Sequence, residues 1–305
     1  MIRFGPAGNS ESFYAQGYKA SWQAPGWLRA MGLSAYEYSF GRGVGLSEEM
    51  AEKIAGYARE NDIAVSAHAP YFINLANPDP EKQEASFRYI TDSARLVNLL
   101  DGDRVVVHVG AVMKLDRAEA IDNCRRGIKE AYARLDDLGL SHIHLCPETM
   151  GRASQIGNLQ ETLAFCLLDE RLIPCIDFAH LHALGQGALK GPEDFAAVLD
   201  AIEKALGLTR AREMHVHFST IEYTAAGEKR HRTFADDAYG PRFEHLAPLL
   251  KERGYAPRII CECKGTMAED AKAMMEIYNR RETPWPISAS NTFPTPCTAP
   301  PALKC

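Results

Sequence analysis

His68, His108, Glu148, Asp177, His180, His217 and Glu262 are all residue types that hold metal ions. Each stands at or just past the end of a β-rich run. The chain has ten histidines, and four of them fall at such ends. A lone histidine there is more often a satisfied core or surface residue, but a set converging on one rim points to metal. Imidazole and carboxylate donors together suit zinc, with manganese or iron as further options. One catalytic zinc takes three or four protein ligands, so a set this large predicts at least two ions with a carboxylate bridging them. The stretch MHVHFSTIEYTAAGEKRHRT (214–233) adds two more histidines. His215 and His217 share a strand face; His217, nearer the C-terminal end, is the expected ligand, and His215 lies one layer deeper as a supporting or core group. His231 lies across a polar loop. His142 and His144 come early in their strand and read as structural, His245 reads as a surface residue, and His182 is left open between loop and helix start.

These residues need strands to carry them. Candidate strands cover 2–4, 35–40, 64–68, 104–108, 142–147, 173–177, 214–218 and 258–263, with amphipathic helical patterns between them. In 81–100, Phe87, Ile90, Ala94, Val97 and Leu100 recur at spacings of three and four and form one apolar stripe. Ser47 followed by two glutamates marks a helix start, with Ile54 on its stripe. Eight strands alternating with helices predict an α/β fold, a (β/α)₈ TIM barrel, whose chemistry sits at the C-terminal ends of the strands. An open doubly wound sheet is the alternative, but no G-x-G-x-x-G follows the first strand. The expected organisation is one barrel domain over 1–281 and a proline-rich tail over 282–305, where six prolines forbid a regular helix or central strand.

Composition narrows the class. The 305 residues are 46% hydrophobic and 24% charged, as in ordinary globular proteins. No segment is apolar for the length of a membrane span, and the first residues lack a signal-peptide core. Six of the eight cysteines (Cys124, Cys146, Cys166, Cys175, Cys261 and Cys263) stand in apolar contexts and no C-x-x-C occurs, which predicts free core thiols and a reducing cytoplasm. No protein partner can be inferred. The net charge of −6 provides no basic footprint for nucleic acid, although a metal cluster or local patch can hold phosphates on an acidic protein.

The segments AHAPYFINL (67–75), VVVHVGA (105–111), PETMGRASQIGNL (147–159), CIDFAHLHALG (175–185), HFST with KRHRTF, and CECKGT resemble endonuclease IV in order. That family comprises zinc-dependent apurinic/apyrimidinic endonucleases on a (β/α)₈ barrel, within a superfamily of xylose isomerase-like sugar enzymes. The resemblance implies that His68 and His108 hold one zinc and that Glu148 bridges to a second, completed by Asp177, His217 and Glu262. His180 and His231 would belong to a third. It further implies cleavage of DNA 5′ to abasic sites in base excision repair, by a hydroxide bridging two zinc ions, with Glu148 and Glu262 in catalytic positions. Tyr71 matches the family's tyrosine after the third strand, where it either reaches the damaged strand or packs as a loop aromatic.

The sequence also departs from the family. Its D-x-H pattern is replaced by Lys229-Arg230-His231. An ammonium cannot coordinate zinc, which leaves the third position weakened, rebuilt or absent, with Lys229 and Arg230 available to a phosphate; Glu228 is one residue away and free to point elsewhere, and Asp236 and Asp237 lie beyond. After the second strand, FGRGVGLSEE offers Arg42 alone as a cation, either a phosphate contact or a solvated loop residue. Its glycines allow a flexible turn or a close backbone approach to a ligand. These departures keep two other readings open: a sugar isomerase or epimerase using one metal, and a metal-binding barrel serving as a scaffold.

Overall fold

The computed structural model describes residues 1–41 and 43–280; Arg42 and the proline-rich tail lie outside the described residues. Eight parallel strands form the centre: β1 (Arg3–Pro6), β2 (Ala35–Ser39), β3 (Ala64–His68), β4 (Arg104–Val107), β5 (His144–Pro147), β6 (Cys175–Asp177), β7 (His215–Phe218) and β8 (Arg258–Cys261). They lie in two runs, β1-β8-β7-β6 and β2-β3-β4-β5. Parallel bridges between Ala7 and Glu37 and between Glu148 and Cys175 join the runs into a closed ring. The expected (β/α)₈ barrel is the observed fold.

The strands are short and nearly continuous in burial, as expected of parallel strands covered by helices on the outside and packed side chains within. The helix Pro80–Leu99 turns Phe87, Ile90, Ala94 and Val97 inward, and Leu100 behind it is also buried. The Ser47 hydroxyl accepts the Met50 N–H at 3.3 Å and starts the helix Glu48–Glu60, which buries Ile54. Several strands stop earlier than the apolar runs suggest. His108 and Glu262 therefore stand just beyond the ladder, and Glu148 stands at its last bridge, where side chains can be aimed over the rim. His142 and His144 lie toward the other end: His142 bonds Asn98 at 2.9 Å, and His144 Nδ1 donates to the Arg171 carbonyl at 2.7 Å.

One element was not expected. The polar stretch between His217 and His231 is an antiparallel hairpin, Thr220–Thr224 with Gly227–Arg232, which follows β7 and carries His231 back to the rim. Among the described residues, no helix is long and apolar enough to cross a membrane.

Ring closure depends on one close approach. A Cβ on Gly5 would sit 1.9 Å from the Ala35 carbonyl oxygen, backbone that cannot rotate aside. Gly5→Ala is expected to destabilise the barrel by at least about 3 kcal/mol, the upper part of the usual overpacking range. A urea midpoint matching wild type would refute this.

Candidate metal centre

Glu148 is fully buried at the end of β5, and its two oxygens face opposite ways. Oε2 lies 3.1 Å from His68 Nε2 and 2.9 Å from His108 Nε2. Oε1 lies 3.2 Å from His217 Nδ1 and 3.3 Å from His180 Nδ1. Around this carboxylate three donor groups gather: His68–His108–Glu148, Glu148–Asp177–His217–Glu262, and Asp177–His180–His231, each with ligand atoms within 4.8 Å of one another. Glu148 belongs to the first two and Asp177 to the last two. His231 thus comes to the same rim as the strand-end set.

Local structure fixes how each ring points. His68 Nδ1 donates to the Ala69 carbonyl at 2.7 Å, leaving Nε2 to Glu148. His180 Nδ1 bonds the Thr149 carbonyl at 2.9 Å, and Ser219 Oγ holds His231 Nδ1 at 2.7 Å. Asp177 caps the helix Phe178–Leu184: its Oδ1 accepts the His180 N–H at 2.7 Å, while its Oδ2 is buried with no hydrogen-bond partner. Beneath the rim, His215 and His217 each bring Nε2 to 3.0 Å from Glu37, contacts of ionic length but bent away from a hydrogen-bond line. The Ser66 hydroxyl donates to Glu37 Oε2 at 2.9 Å.

The electrostatics are those of buried acids in want of positive charge. Burial alone would raise the Glu148 and Glu262 carboxyls, but His217 overrides it, with His108 also acting on Glu148. Glu148 is held well below its usual range and Glu262 at about 2. Burial pushes Asp177 up to about 7, and the neighbouring Glu262 and Glu148 add to this against His180. Burial would lower His68, yet Glu148 lifts it to about 9. In this arrangement protons on imidazoles balance the carboxylates, a role divalent cations fill while leaving the rings neutral as ligands. The orphaned Asp177 Oδ2, the divided Glu148 carboxylate and the anchored rings all fit such ions.

A cavity of about 480 Å³ opens above the cluster, lined by His68, His108, His180, His231, Glu262, Tyr71 and Arg152 among others. Tyr71 is half exposed on its wall, against Phe72. Arg42, expected near this mouth, lies outside the described residues. The expectation that Lys229 stands in the place of the missing acid needs correction. Lys229 turns outward and pairs with Glu222 at 2.5 Å, as does Arg230 at 2.9 Å, because the strand is out of simple alternation there. His182 is buried beside Tyr223 and accepts the Leu189 N–H at 3.2 Å, outside the cluster. His245 is half-buried against Phe195 rather than a plain surface residue. Sequence reasoning missed Glu37, Arg152 and Ser219, and it left Glu228 open as an acid beside Lys229 without placing it. Of the three missed, Glu37 alone carried a signal, as a carboxylate inside an otherwise apolar and aromatic strand.

The sequence profile of a family described as xylose isomerase-like TIM barrel matches residues 25–280. An uncharacterized protein of Methanocaldococcus jannaschii is 33% identical over 252 residues, 83% of this chain and 89% of that protein. A probable endonuclease 4 of Acholeplasma laidlawii is 27% identical over 170 residues, 54% of this chain and 56% of that protein, so the chain spans little more than half of that relative. Among solved structures, endonuclease IV from Thermus thermophilus aligns with a TM-score of 0.66 at 22% identity, covering 90% of this chain and 97% of that one. A D-psicose 3-epimerase aligns with a TM-score of 0.62 at 16% identity, covering 90% and 97%. At these identities the structural likenesses speak to the fold.

Proposed function

The chain belongs to the xylose isomerase-like TIM barrel family, with endonuclease IV proteins among its relatives, and from that premise we propose that it is a metal-dependent phosphodiesterase that cuts DNA 5′ to abasic sites. The observation that carries this reading is the divided Glu148 carboxylate, with one oxygen in each of two donor groups. Such a carboxylate suits a centre of two or more ions, zinc in the first instance and manganese or iron otherwise. When bound, the ions supply Lewis-acid charge that polarises a phosphoryl oxygen and activates water.

The chain's own residues supply the rest. His68 and His108 would hold an ion on one side of Glu148, with Asp177, His217 and Glu262 holding another on the opposite side. Burial of Glu148, Asp177 and His217 removes the centre of the cluster from bulk water, and charges interact more strongly there than in solvent. Arg152 on the cavity wall offers a guanidinium to a phosphate, and half-exposed Tyr71 offers a ring face to an unstacked base or sugar.

The test is incision of a duplex carrying a single abasic site by metal-loaded and chelator-treated protein. Cleavage that chelation abolishes and zinc restores is the expected result; an intact substrate under zinc, manganese and iron would overturn the proposal. The competing reading is a sugar epimerase, supported by a cavity of about 480 Å³, within the range that encloses a small ligand. That reading requires one tightly held ion, so element-resolved metal counting separates the two.

A further inference from the structure

The hairpin that returns His231 to the rim has an irregular ladder. Ile221 pairs with His231 and Glu222 with Arg230, but Tyr223 then pairs with Glu228, so Lys229 has no residue opposite it. In a regular strand, the residue two before His231 shares its face, and that residue is Lys229. An unpaired extra residue is a β-bulge, which re-phases everything beyond it. Here Lys229 and Arg230 both turn outward onto Glu222, and Glu228 inherits the inward face.

Glu228 is held on that face. Its Oε2 lies 3.5 Å from His180 Nε2, and it lines the cavity with His180, His231 and Glu262. Its N–H donates to the Gly151 carbonyl at 2.9 Å, and its own carbonyl accepts from Arg152 Nε at 2.9 Å. Two glycines make the room. A Cβ on Gly151 would lie 2.7 Å from Glu228 Cβ and 3.1 Å from Glu228 Oε2. A Cβ on Gly227, whose φ is +95°, would lie 2.2 Å from the Gly151 carbonyl oxygen. The loop after β5 and the hairpin strand are thus pressed together around this one side chain.

We propose that Glu228 is the acidic ligand of a third cation position with Asp177, His180 and His231, and that the bulge at Lys229 is what delivers it. Two carboxylates and two neutral imidazoles match the charge and hardness of one divalent ion. Asp177 contributes its Oδ2, which makes no hydrogen bond, lies 3.4 Å from His180 Nδ1 and is shared with the position beside Glu148, and the extra methylene of glutamate over aspartate gives reach from a position one residue further back. The inference rests on reading the rim as a multi-ion centre.

The test counts zinc per chain by element-resolved mass spectrometry after equilibration in zinc-buffered solution, with circular dichroism to verify the fold. Wild type and Lys229→Ala are expected to hold three ions and Glu228→Gln two, its third-site affinity weakened at least about 100-fold, since even partners behind a ligand are worth 10–100-fold. Gly151→Ala is expected to copy Glu228→Gln by evicting the carboxylate. Deletion of Lys229 is expected to keep three ions, because removing the bulge puts the glutamate two residues before the histidine. A third ion bound by folded Glu228→Gln as tightly as by wild type would overturn the assignment, as would a wild type that saturates at one or two ions. Intact abasic DNA together with loss of one ion in Glu228→Gln would sink the substrate reading and leave the ligand assignment standing.

Discussion

Glu148→Gln is expected to abolish the two inner donor groups at once and to lower the proposed phosphodiester cleavage by about 10³-fold or more. The cause is geometric. Both oxygens of this carboxylate are committed, Oε2 between His68 and His108 and Oε1 toward His217 and His180. An amide replaces one oxygen by a donor that faces imidazole or cation with the wrong polarity. Lewis-acid charge is worth several kcal/mol in the transition state, and each 1.36 kcal/mol is a factor of ten in rate. Metal content should fall with the rate, by one ion or more per chain, while the helices outside Phe178–Leu184 stay unchanged. A variant that kept both its metal and its rate would show that Glu148 is merely a buried acid between histidines.

The second large effect is expected at Glu37, a residue that touches no part of the cavity. It is fully buried in β2, and His215 and His217 both point Nε2 at it. Burial alone would raise its carboxyl, yet His217 and His215 hold it well below its usual range. A proton kept on His217 Nε2 leaves the Nδ1 lone pair facing Glu148 and Glu262, each at 3.2 Å, so Glu37 selects the tautomer that can bind a cation. Glu37→Gln should weaken cation binding by about 10–100-fold. Glu37→Ala leaves two buried imidazoles without their counter-charge and should cost about 3–5 kcal/mol of stability, or roughly 5–15 °C in melting temperature. Metal titration and thermal melts of the two variants separate these effects. Wild-type affinity in Glu37→Gln would reduce Glu37 to a packing role.

Much of this was legible in the sequence because parallel strands impose a simple rule. A polar residue ending a buried apolar run, as in VVVH or CID, has nowhere to go but the rim, which is why His108 and Asp177 could be placed without coordinates. The rule is blind to residues inside a strand. Glu37 in AYEYS breaks no periodicity that points at a partner, and its partners lie far along the chain on β3 and β7. It is equally blind to a bulge. The D-x-H match put Lys229 where the family has its acid, and only the cross-strand pairing shows that Glu228 takes the inward face. Ring closure at Gly5 likewise depends on a contact with β2 that no local pattern encodes.

Asp177 has a further consequence through the helix it begins. Phe178–Leu184 has seven residues, too few to hold a helix on local propensity, and its first turn is secured by one oxygen of a carboxylate whose other oxygen faces the centre. Without a cation that carboxyl rises to about 7, and a protonated acid is a weaker acceptor for the cap. Emptying the centre should therefore fray this helix, and filling it should anneal the helix. Amide exchange across 178–184 becomes a gauge of ion occupancy, since the opening of a short segment and the vacancy of a site are linked through one side chain.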